Sequence, residues 1–259
     1  MSNSAYLTAQ YPSLRDRAVF ITGGGSGIGE TLVRAFTAQG AKVAFIDVAE
    51  DDSRALAEAL AGAGQARPWW RRCDVRDVEA LRAAMADAAR ELGDFHVLVN
   101  NVASDTRHTL AEVTPAFYDD RIAINQRAAL FAMQAVVPGM QRLGSGSIVN
   151  LGSIGWQIKS ADYPCYAVSK SAVNGLTRGT AASLGRDRIR VNTVTPGWVM
   201  TERQKRLWVT PEAETEIDRN QCLPDRLQPE DIAAMVLFLA SDDARMCTAQ
   251  EFTVDGGWR

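Results

Sequence analysis

The chain is poor in the residues that bind metals, form disulfides and carry much of acid–base catalysis. It has 4 Cys and 2 His among 259 residues, and the cysteines form no C-x-x-C pair. This scarcity predicts no metal site and argues against a disulfide scaffold, so we expect reduced thiols in a cytoplasmic protein. Cys165 precedes Tyr166, but no histidine lies at triad spacing, so a packing role is expected for this thiol.

Long hydrophobic runs and an excess of one charge are also missing. The longest apolar runs, such as Met235–Ala240, are far shorter than the roughly 20 residues of a membrane span. The N-terminus has no basic region followed by an apolar stretch, so no secretory signal is visible. The net charge is −3 and arginine is spread along the chain. Neither a membrane nor a nucleic acid is therefore an expected partner.

Short β-branched runs alternate with Ala-, Leu- and charge-rich stretches typical of helices. This alternation predicts one α/β domain over residues 1–259, a doubly wound parallel sheet of Rossmann type with helices on both faces. Residues 1–16 are expected to form a loosely held arm. A charged segment at about 199–225, containing Pro211 and Pro224, is predicted to be a substrate lid. The predicted strands are 18–22, 42–47, 68–73, 95–100, 146–151, 189–194 and 251–254, and helical stretches include 30–39, 51–61, 78–92 and 113–142.

A glycine-rich turn follows the first predicted strand directly. It reads Thr22-Gly-Gly-Gly-Ser-Gly-Ile-Gly29, and a helical pattern begins at residue 30. The spacing is G-x-x-x-G-x-G at Gly23, Gly27 and Gly29, not the usual G-x-G-x-x-G. Glycines there let the backbone approach a pyrophosphate, and the helix N-terminus offers N–H donors. The turn predicts a dinucleotide site.

Asp47 ends the second predicted strand, about twenty residues beyond the glycine turn. A carboxylate there accepts hydrogen bonds from the adenosine ribose hydroxyls and repels a 2′-phosphate. No Arg or Lys lies in the glycine turn or directly after Asp47. These features predict NAD rather than NADP. Asp74, after the third strand, is placed either to meet the adenine or to cap the next helix.

Tyr166 and Lys170 stand four residues apart, which places both side chains on one face of a helix. A free phenol ionises near pH 10, too high for a base at neutral pH. A nearby ammonium favours the phenolate and lowers that value. The pair therefore predicts a general base that a lone tyrosine would not provide.

These features together resemble the classical short-chain dehydrogenase/reductase family from residue 15 to the end. The resemblance rests on Thr22-Gly-x-x-x-Gly-x-Gly29, Asp74-Val75, Asn100-Asn101, Asn125, Ser153, Tyr166-x-x-x-Lys170, Pro196-Gly197 with Thr201, and Asp255-Gly-Gly257. It implies the strand order 3-2-1-4-5-6-7 and a homotetramer built from helices near 113–141 and 163–185 and the C-terminal tail.

The resemblance also implies a role for each matching residue. Tyr166 would remove the substrate hydroxyl proton, Ser153 would donate to that oxygen, and Lys170 would bind the nicotinamide ribose. Asn125 would hold a water that links Lys170 to solvent. The implied cofactor residues are Gly23, Ser26, Gly27, Ile28, Gly29, Asp47, Asp74, Val75, Asn101, Val102, Tyr166, Lys170, Pro196, Gly197, Val199 and Thr201.

The chain departs from the family pattern after the fourth strand. Where the family usually has Asn-Asn-Ala-Gly, this chain has Asn100-Asn101-Val102-Ala103. Replacing glycine by Ala103 removes conformational freedom beside the nicotinamide ribose. We expect cofactor binding to survive in an allowed backbone region, with a narrower cleft floor.

Within that family, the chain is most similar to bacterial NAD-dependent aldose 1-dehydrogenases of the D-xylose, L-arabinose and D-galactose type. The similarity lies in Tyr11–Leu14, Asp105-x-Arg107-His108, Gly152-Ser-Ile-x-Trp156, Arg203-Gln204, Gln221-Cys-Leu223 and Trp258-Arg259. It implies a small sugar as the substrate, oxidised at its C1 hydroxyl to an aldonolactone. Polar groups would bind the hydroxyls and aromatic rings the C–H face. The candidates beside Ser153 and Tyr166 are Asp105, Arg107, His108, Trp156, Gln157, Trp198 and Arg203.

Three alternatives stay open from the sequence. A 3-oxoacyl-thioester reductase has the same catalytic residues but usually favours NADPH, against which Asp47 argues. A dehydrogenase of 2-keto-3-deoxy sugar acids would use Arg107 or Arg203 for the carboxylate. A nucleotide-binding sensor without activity is the non-enzyme alternative.

Overall fold

A computed structural model of the protein describes residues 8–259, and within that range all seven predicted strands form one parallel sheet. The strands are β1 Ala18–Thr22, β2 Lys42–Asp47, β3 Trp69–Arg72, β4 Val97–Asn100, β5 Gly146–Leu151, β6 Ile189–Pro196 and β7 Glu251–Val254. Their order is β3-β2-β1-β4-β5-β6-β7, which confirms the doubly wound fold and the implied strand order.

Helices cover both faces of this sheet. They are α1 Gly27–Ala38, α2 Glu50–Gly62, α3 Val78–Leu92, α4 Pro115–Ile122, α5 Ala128–Leu143, α6 Pro164–Leu184, α7 Glu202–Leu207, α8 Pro211–Asn220 and α9 Pro229–Ala240. A search of residues 8–259 finds no helix with the length and apolar character needed to span a membrane.

The strand residues divide between two apolar cores because alternate side chains point to opposite faces. In β1, Val19 and Ile21 pack into one core, while Ala18 and Phe20 pack into the other. Helices α1 and α9 cover the first core, and α3 and α5 cover the second. Strands buried on both faces have no polar alternation, which explains the continuous apolar runs in the sequence.

The order of the strands places the functional residues along one edge. The chain winds from β1 outward to β3 and then returns to β4 on the other side of β1, so a crevice opens where β1 and β4 end. Gly23 follows β1, Asn101 follows β4 and Ser153 lies beyond β5. The carboxyl ends of β2 and β6 bring Asp47 and Gly197 to the same edge.

The stretch predicted as helical at 113–142 is interrupted. Helices α4 and α5 are joined by a π-helical turn, Ala123–Arg127, in which the Ala128 N–H reaches back to the Ala123 carbonyl. A single wider turn leaves the apolar pattern nearly unchanged, so periodicity did not reveal it. Such turns are frequent at functional sites, and this one carries Asn125.

The predicted loose arm is wrong for residues 8–16. Residues 12–14 form a 3₁₀ turn whose Leu14 is 1% exposed within the α1 and α9 core. The Tyr11 N–H donates to Gln39 Oε1 at 2.8 Å, which ties this segment to the end of α1. One buried leucine and one polar tether are enough to hold a short segment, and neither is marked by local periodicity. The rest of the predicted arm, residues 1–7, lies outside the described residues.

Replacing Leu14 by Ala is expected to lower the free energy of unfolding by about 3 kcal/mol, because it leaves a cavity in a packed core. Urea denaturation followed by circular dichroism measures the change. The control is Leu110→Ala, at a leucine that is 79% exposed, where we expect a change within about 0.5 kcal/mol. Equal effects of the two substitutions would show that residues 8–16 contribute nothing to the fold.

Candidate active site

A cleft of about 2160 Å³ lies along the carboxyl edge of the sheet. It extends from the glycine turn, past the ends of β4 and β5, to α6 and the segment after β6. All the residues predicted to bind the cofactor line it, from Gly23 to Thr201. Helices α7 and α8 account for most of the predicted lid, and Thr201 to Lys205 contribute to the lining.

The glycine turn is held in a shape that only glycine permits at two positions. Gly23 has a φ of +72°, and a Cβ built on it would lie 2.8 Å from Val102 Cγ2. A Cβ on Gly29 would lie 1.7 Å from the Gly23 carbonyl oxygen, so α1 begins in direct contact with the turn. The Asn101 side-chain amide donates to that same carbonyl at 2.8 Å. The turn therefore leaves the N–H groups at the start of α1 facing the cleft.

Asp47 is bound by backbone amides of the neighbouring loops. Its carboxylate accepts from the Gly25 N–H at 2.8 Å and from the Ala49 N–H at 2.9 Å. These bonds fix the carboxylate at the end of β2, where it lines the cleft together with Asp52. Arg72 is in register with Asp47 on β3, but it is not part of the cleft lining. This end of the cleft is therefore acidic.

Asp74 lies at the same end and pairs with Arg76. Its carboxylate accepts from Arg76 Nε at 2.9 Å, and this bond is the main cause that lowers the pKa of Asp74. The cap of α3 is Asp77, which accepts from the Ala80 N–H. Of the two possibilities open for Asp74, the helix cap is thus wrong, and the cleft position is the one found.

Tyr166, Lys170 and Ser153 meet at the floor of the cleft. The buried Lys170 Nζ donates to the Leu151 carbonyl at 2.6 Å and lies 5.7 Å from the centre of the Tyr166 ring. The Ser153 hydroxyl hydrogen-bonds the phenol and accepts from the Gly155 N–H at 3.0 Å. A hydroxyl, a phenol and an ammonium are thus held together where β5 and α6 meet.

The ionisation of this pair differs from the expectation. Burial raises the pKa of the Tyr166 phenol well above its usual value, although the bond from Ser153 and the charge of Arg107 act to lower it. Burial also lowers the pKa of Lys170 to about 8, against the opposing effect of Asp105. The predicted fall in the Tyr166 pKa is therefore wrong for the protein's own groups, because the loss of water outweighs the nearby cations.

Asn125 does not line the main cleft, and its side chain is fully occupied by one backbone segment. Asn125 Oδ1 accepts from the Ser104 N–H at 2.7 Å, and Nδ2 donates to the Ser104 carbonyl at 3.1 Å. Beside it lies a small cavity of about 10 Å³ that Lys170 and the Asn100 side chain also border. That volume is about the size of one water. The π-helical turn thus brings Asn125 to the same small cavity as Lys170, and the water that the resemblance implies there stays a prediction.

The departure at residues 102–103 is accommodated without strain. Ala103 is not among the described residues with a positive φ, so its backbone stays in the region allowed to alanine. The added methyl groups of Val102 fill the space above Gly23. The first observation agrees with the expected allowed backbone region at Ala103, and the narrower floor stays a prediction.

The predicted substrate residues separate into two groups. Asp105, Arg107, Trp198 and Arg203 line the cleft, whereas His108, Trp156 and Gln157 do not. The Trp156 ring is 36% exposed, and Gln157 Nε2 donates to Glu251 Oε1 at 3.0 Å. These three residues therefore lie outside the cleft lining, and their contacts with a substrate stay a prediction. Spacing in a loop does not reveal which way a side chain points.

His108 is buried next to the start of α6 instead. It is 8% exposed, and its Nε2 accepts from the Cys165 N–H at 3.2 Å. Its ring contacts Phe117 edge-on, with 4.7 Å between the ring centres.

Asp105 connects the cleft wall to α7, which lies in the segment predicted to form a lid. It forms an ion pair with Arg203, and its second oxygen accepts from Gln204 Nε2 at 2.6 Å. Burial acts to raise the pKa of Asp105, but the hydrogen bonds from Arg203 and Gln204 outweigh it, so the pKa lies below its usual range. Asp105 and Arg203 therefore neutralise one another rather than standing free.

Arg107 lies between two aromatic rings. Its guanidinium carbon is 4.2 Å from the centre of the Tyr163 ring and 5.0 Å from that of Trp208 on the lid. Tyr163 in turn packs edge-on against Tyr166, with 5.2 Å between the ring centres. Arg107 thus holds a positive charge near the Tyr166 phenol and joins Trp208, directly after α7, to Tyr163 at the start of α6.

Tyr163 and Trp258 both line the cleft. Neither was predicted as a substrate residue, although Trp258 belongs to the Trp258-Arg259 segment of the resemblance. Tyr163 stands three positions before Tyr166, so its spacing on the helix face was a usable signal. Trp258 contacts Trp198 at 6.3 Å between ring centres, and this contact joins residues that are distant in sequence. No local sequence pattern predicts this contact between the two rings.

Comparison with known proteins gives matches over nearly the whole chain. Residues 23–259 match the family model described as enoyl-(acyl carrier protein) reductase. A D-xylose 1-dehydrogenase of Caulobacter vibrioides is 50% identical over 252 residues, 97% of this chain and 99% of that protein. A probable galactose dehydrogenase of Rhizobium meliloti is 46% identical over 250 residues, 96% of this chain and 98% of that protein.

Solved structures share the same fold. A 3-oxoacyl-[acyl-carrier protein] reductase from Brucella melitensis superposes with a TM-score of 0.89 at 32% identity, covering 99% of this chain and 95% of that one. A blue fluorescent protein from a metagenomic library, solved in complex with NADPH, gives a TM-score of 0.87 at 35% identity, covering 95% and 99%.

Replacing Asp105 by Asn is expected to loosen the lid, because the ion pair to Arg203 is lost. Amide hydrogen exchange in α7, measured by mass spectrometry at neutral pH, should become about tenfold faster, as for a lost hydrogen bond to a charged group. In the wild type the carboxylate's contribution is present at neutral pH. It is lost only as the pH falls through the lowered folded pKa of Asp105.

The matched control is Glu202→Gln, which removes an ion pair with Lys205 on the same helix. The Glu202 side chain is 92% exposed, whereas that of Asp105 is 16% exposed. An exposed pair contributes little, so exchange in α7 should hardly change. Equal exchange in the wild type and the Asp105 variant would contradict the tie to the lid.

Proposed function

The chain belongs to the short-chain dehydrogenase/reductase family, and we propose that it is an aldose 1-dehydrogenase. It would oxidise the C1 hydroxyl of a cyclic sugar to the aldonolactone, with NAD as the hydride acceptor. The observation that carries this proposal is the meeting of Tyr166, Lys170 and Ser153 at the floor of a cleft that also contains the glycine turn. The full-length identity to two sugar dehydrogenases supports the substrate class.

The cleft fits a dinucleotide. Gly27 has a φ of +57°, and a Cβ there would reach within 3.3 Å of Thr201 Cγ2, so a side chain would fill the space under the lid. The glycine turn would hold the pyrophosphate at the start of α1. At the other end, Gly197 and Thr201 would hold the carboxamide, and Lys170 the nicotinamide ribose. The bound nicotinamide would supply a hydride acceptor and a positive charge.

Tyr166 and Ser153 would act on the same sugar oxygen. Ser153 would donate a hydrogen bond to O1 and orient it, while the Tyr166 phenolate would take the O1 proton as the C1–H bond breaks. Burial raises the pKa of Tyr166, so the phenolate depends on positive charge close by. Lys170, whose pKa is about 8, remains largely protonated at neutral pH and provides part of that charge.

The proton taken by Tyr166 must leave before the next turnover. Lys170 and Asn125 border the same small cavity, which has room for about one water. We assign to this cavity the water that would pass the proton on towards solvent. The Asn125 amide already binds the Ser104 backbone, so we assign the contact with that water to the Asn125 backbone carbonyl.

NAD is favoured over NADP by the acidic end of the cleft. The Asp47 carboxylate is fixed by Gly25 and Ala49, so it is placed to accept from the ribose hydroxyls. Asp52 lines the same end and adds a second negative charge. A 2′-phosphate would meet both carboxylates, and Arg76 nearby is already paired with Asp74 and Asp120.

A sugar acid is the second candidate substrate, and Arg107 favours it. Arg203 is neutralised by Asp105, whereas Arg107 is held between rings and its described contacts include no carboxylate. Its guanidinium edge is available for an anion or a hydroxyl. A sugar needs such a donor as well, and the identity to sugar dehydrogenases decides in favour of the aldose.

The proposal includes a homotetramer and a cytoplasmic location. Leu130 on α5 and Val168 on α6 are 44% and 47% exposed, which supports contacts between copies through these helices. All four cysteines are free thiols, which supports a reducing compartment.

The test is a panel of D-xylose, L-arabinose, D-galactose and a 2-keto-3-deoxy sugar acid with NAD, followed at 340 nm. We expect NADH to form with at least one aldose and the initial product to be the lactone. Tyr166→Phe removes only the hydroxyl, so it should lower kcat more than about a thousandfold while NADH still binds. If no aldose gives an increase in absorbance at 340 nm, the proposal is wrong. Turnover of the sugar acid alone would select the second candidate.

Replacing Asp47 by Ala tests the cofactor assignment. Without the carboxylate, a 2′-phosphate is repelled less and the ribose hydroxyls lose their acceptor. The ratio of kcat/KM for NADP to kcat/KM for NAD should therefore rise by about tenfold or more. The ratio of kcat/KM for the two cofactors, measured with one substrate, checks this. The control is Glu50→Ala, which removes an exposed charge paired only along α2. An unchanged ratio in the Asp47 variant would show that this residue does not bind the ribose.

A further inference from the structure

The helix that carries Tyr166 begins without a cap from its own segment. Helix α6 starts at Pro164, and in the described chain Tyr163 before it provides no side-chain cap. Proline has no N–H, so Cys165 is the first residue of the helix whose amide needs an acceptor. That acceptor is His108 Nε2, at 3.2 Å and from a residue 57 positions earlier in the chain. A ring from another segment thus replaces the usual Ser, Thr or Asp cap.

The contacts determine which ring nitrogen carries the proton. A nitrogen that accepts from an N–H has no proton of its own, so His108 Nε2 is unprotonated. Nδ1 lies 2.8 Å from the Thr106 carbonyl, which can only accept, so Nδ1 carries the hydrogen. The ring is therefore neutral. The ring is buried and packs edge-on against Phe117, so it has little contact with water.

The same loop makes a second contact with the start of α6. The His108 N–H donates to the Asp162 carbonyl at 2.7 Å, two residues before the helix begins. One residue thus binds the helix start through both its backbone and its ring. Tyr166 follows Cys165 directly and belongs to the same first turn.

We propose that His108 is a positioning residue for the reaction: its neutral Nδ1–H ring caps α6 and fixes the first turn that holds Tyr166. The inference rests on the proposed role of Tyr166 as the base. A misplacement of about 1 Å at a base can lower the rate by about a hundredfold. Most of the proposed cofactor contacts, including those of the glycine turn and Asp47, lie on other elements. Loss of the cap should therefore lower kcat and leave the KM for NAD unchanged.

The first test is independent of any activity. The chain has 2 His, so ¹⁵N-labelled histidine gives two sets of ring signals, and His96→Asn assigns them. His96 Nδ1 accepts from the Ala18 N–H at 3.2 Å, so its proton is expected on Nε2. We therefore expect opposite tautomers at neutral pH, with Nδ1–H at His108. A proton on Nε2 of His108 would overturn the proposal.

The second test compares two substitutions at one position. His108→Leu keeps an apolar group of similar size but has no acceptor, and kcat should fall by about tenfold or more with the KM for NAD within twofold. His108→Gln places an amide oxygen near the position of Nε2, so it should recover most of kcat. A Gln variant as slow as the Leu variant, or a Leu variant with normal kcat, would overturn the proposal.

A control separates positioning from general stability. Asp77→Ala removes a cap of the same kind from α3, where Asp77 accepts from the Ala80 N–H. Both cap losses should lower the melting temperature, but only His108→Leu should lower kcat. Equal losses of kcat would reduce His108 to a structural role and overturn the proposal. If no sugar is oxidised by the wild type, the proposed function fails, and the ring tautomer still decides whether the cap exists.

Discussion

The segment after β4, residues 101–108, constrains every other part of the site. Asn101 holds the glycine turn, and the backbone of Ser104 is matched by the Asn125 amide. Asp105 binds the lid, and His108 binds the start of α6. A loop with this many partners has few alternative conformations. It therefore fixes the glycine turn, Asn125, α7 and the start of α6 relative to one another. The preorganisation of the cleft depends on it more than on any single helix.

This dependence explains what the sequence predicted well and what it did not. The strands and the glycine turn were predictable because their signals are local: β-branched runs, and glycines at a strand-to-helix turn. His108 and Asp105 were expected to meet the substrate, but each is engaged by a partner far away in the chain. Residue type and spacing cannot show such a partner. The π-helical turn at Asn125 was not predicted for a related reason. It places the Asn125 side chain against Ser104, and the local sequence pattern does not show that contact.

The electrostatics of the base follow from the same burial that shapes the site. A lysine beside a tyrosine lowers the pKa of the phenol when the ammonium is fully charged and water screens the attraction between the two groups only weakly. Here burial opposes both charges, raising the pKa of Tyr166 and lowering that of Lys170 to about 8. The polypeptide by itself therefore favours the neutral phenol of Tyr166. If Tyr166 is the base, as proposed, its ionisation would depend on positive charge that a bound oxidised nicotinamide would add.

The two ends of the cleft are built differently, and this bears on specificity. At the floor, Ser153 lies just beyond β5, and Lys170 on α6 donates to the Leu151 carbonyl at the end of that strand, so the sheet determines their positions. At the rim, Arg107 is held by the rings of Tyr163 and Trp208, and Trp198 by Trp258. Those contacts join loops and the lid, so a substitution there shifts neighbouring rings without disturbing the sheet. The proposed chemistry is consequently tied to the core of the fold, whereas the rim, which would select the substrate in the proposed function, is held by contacts outside the sheet.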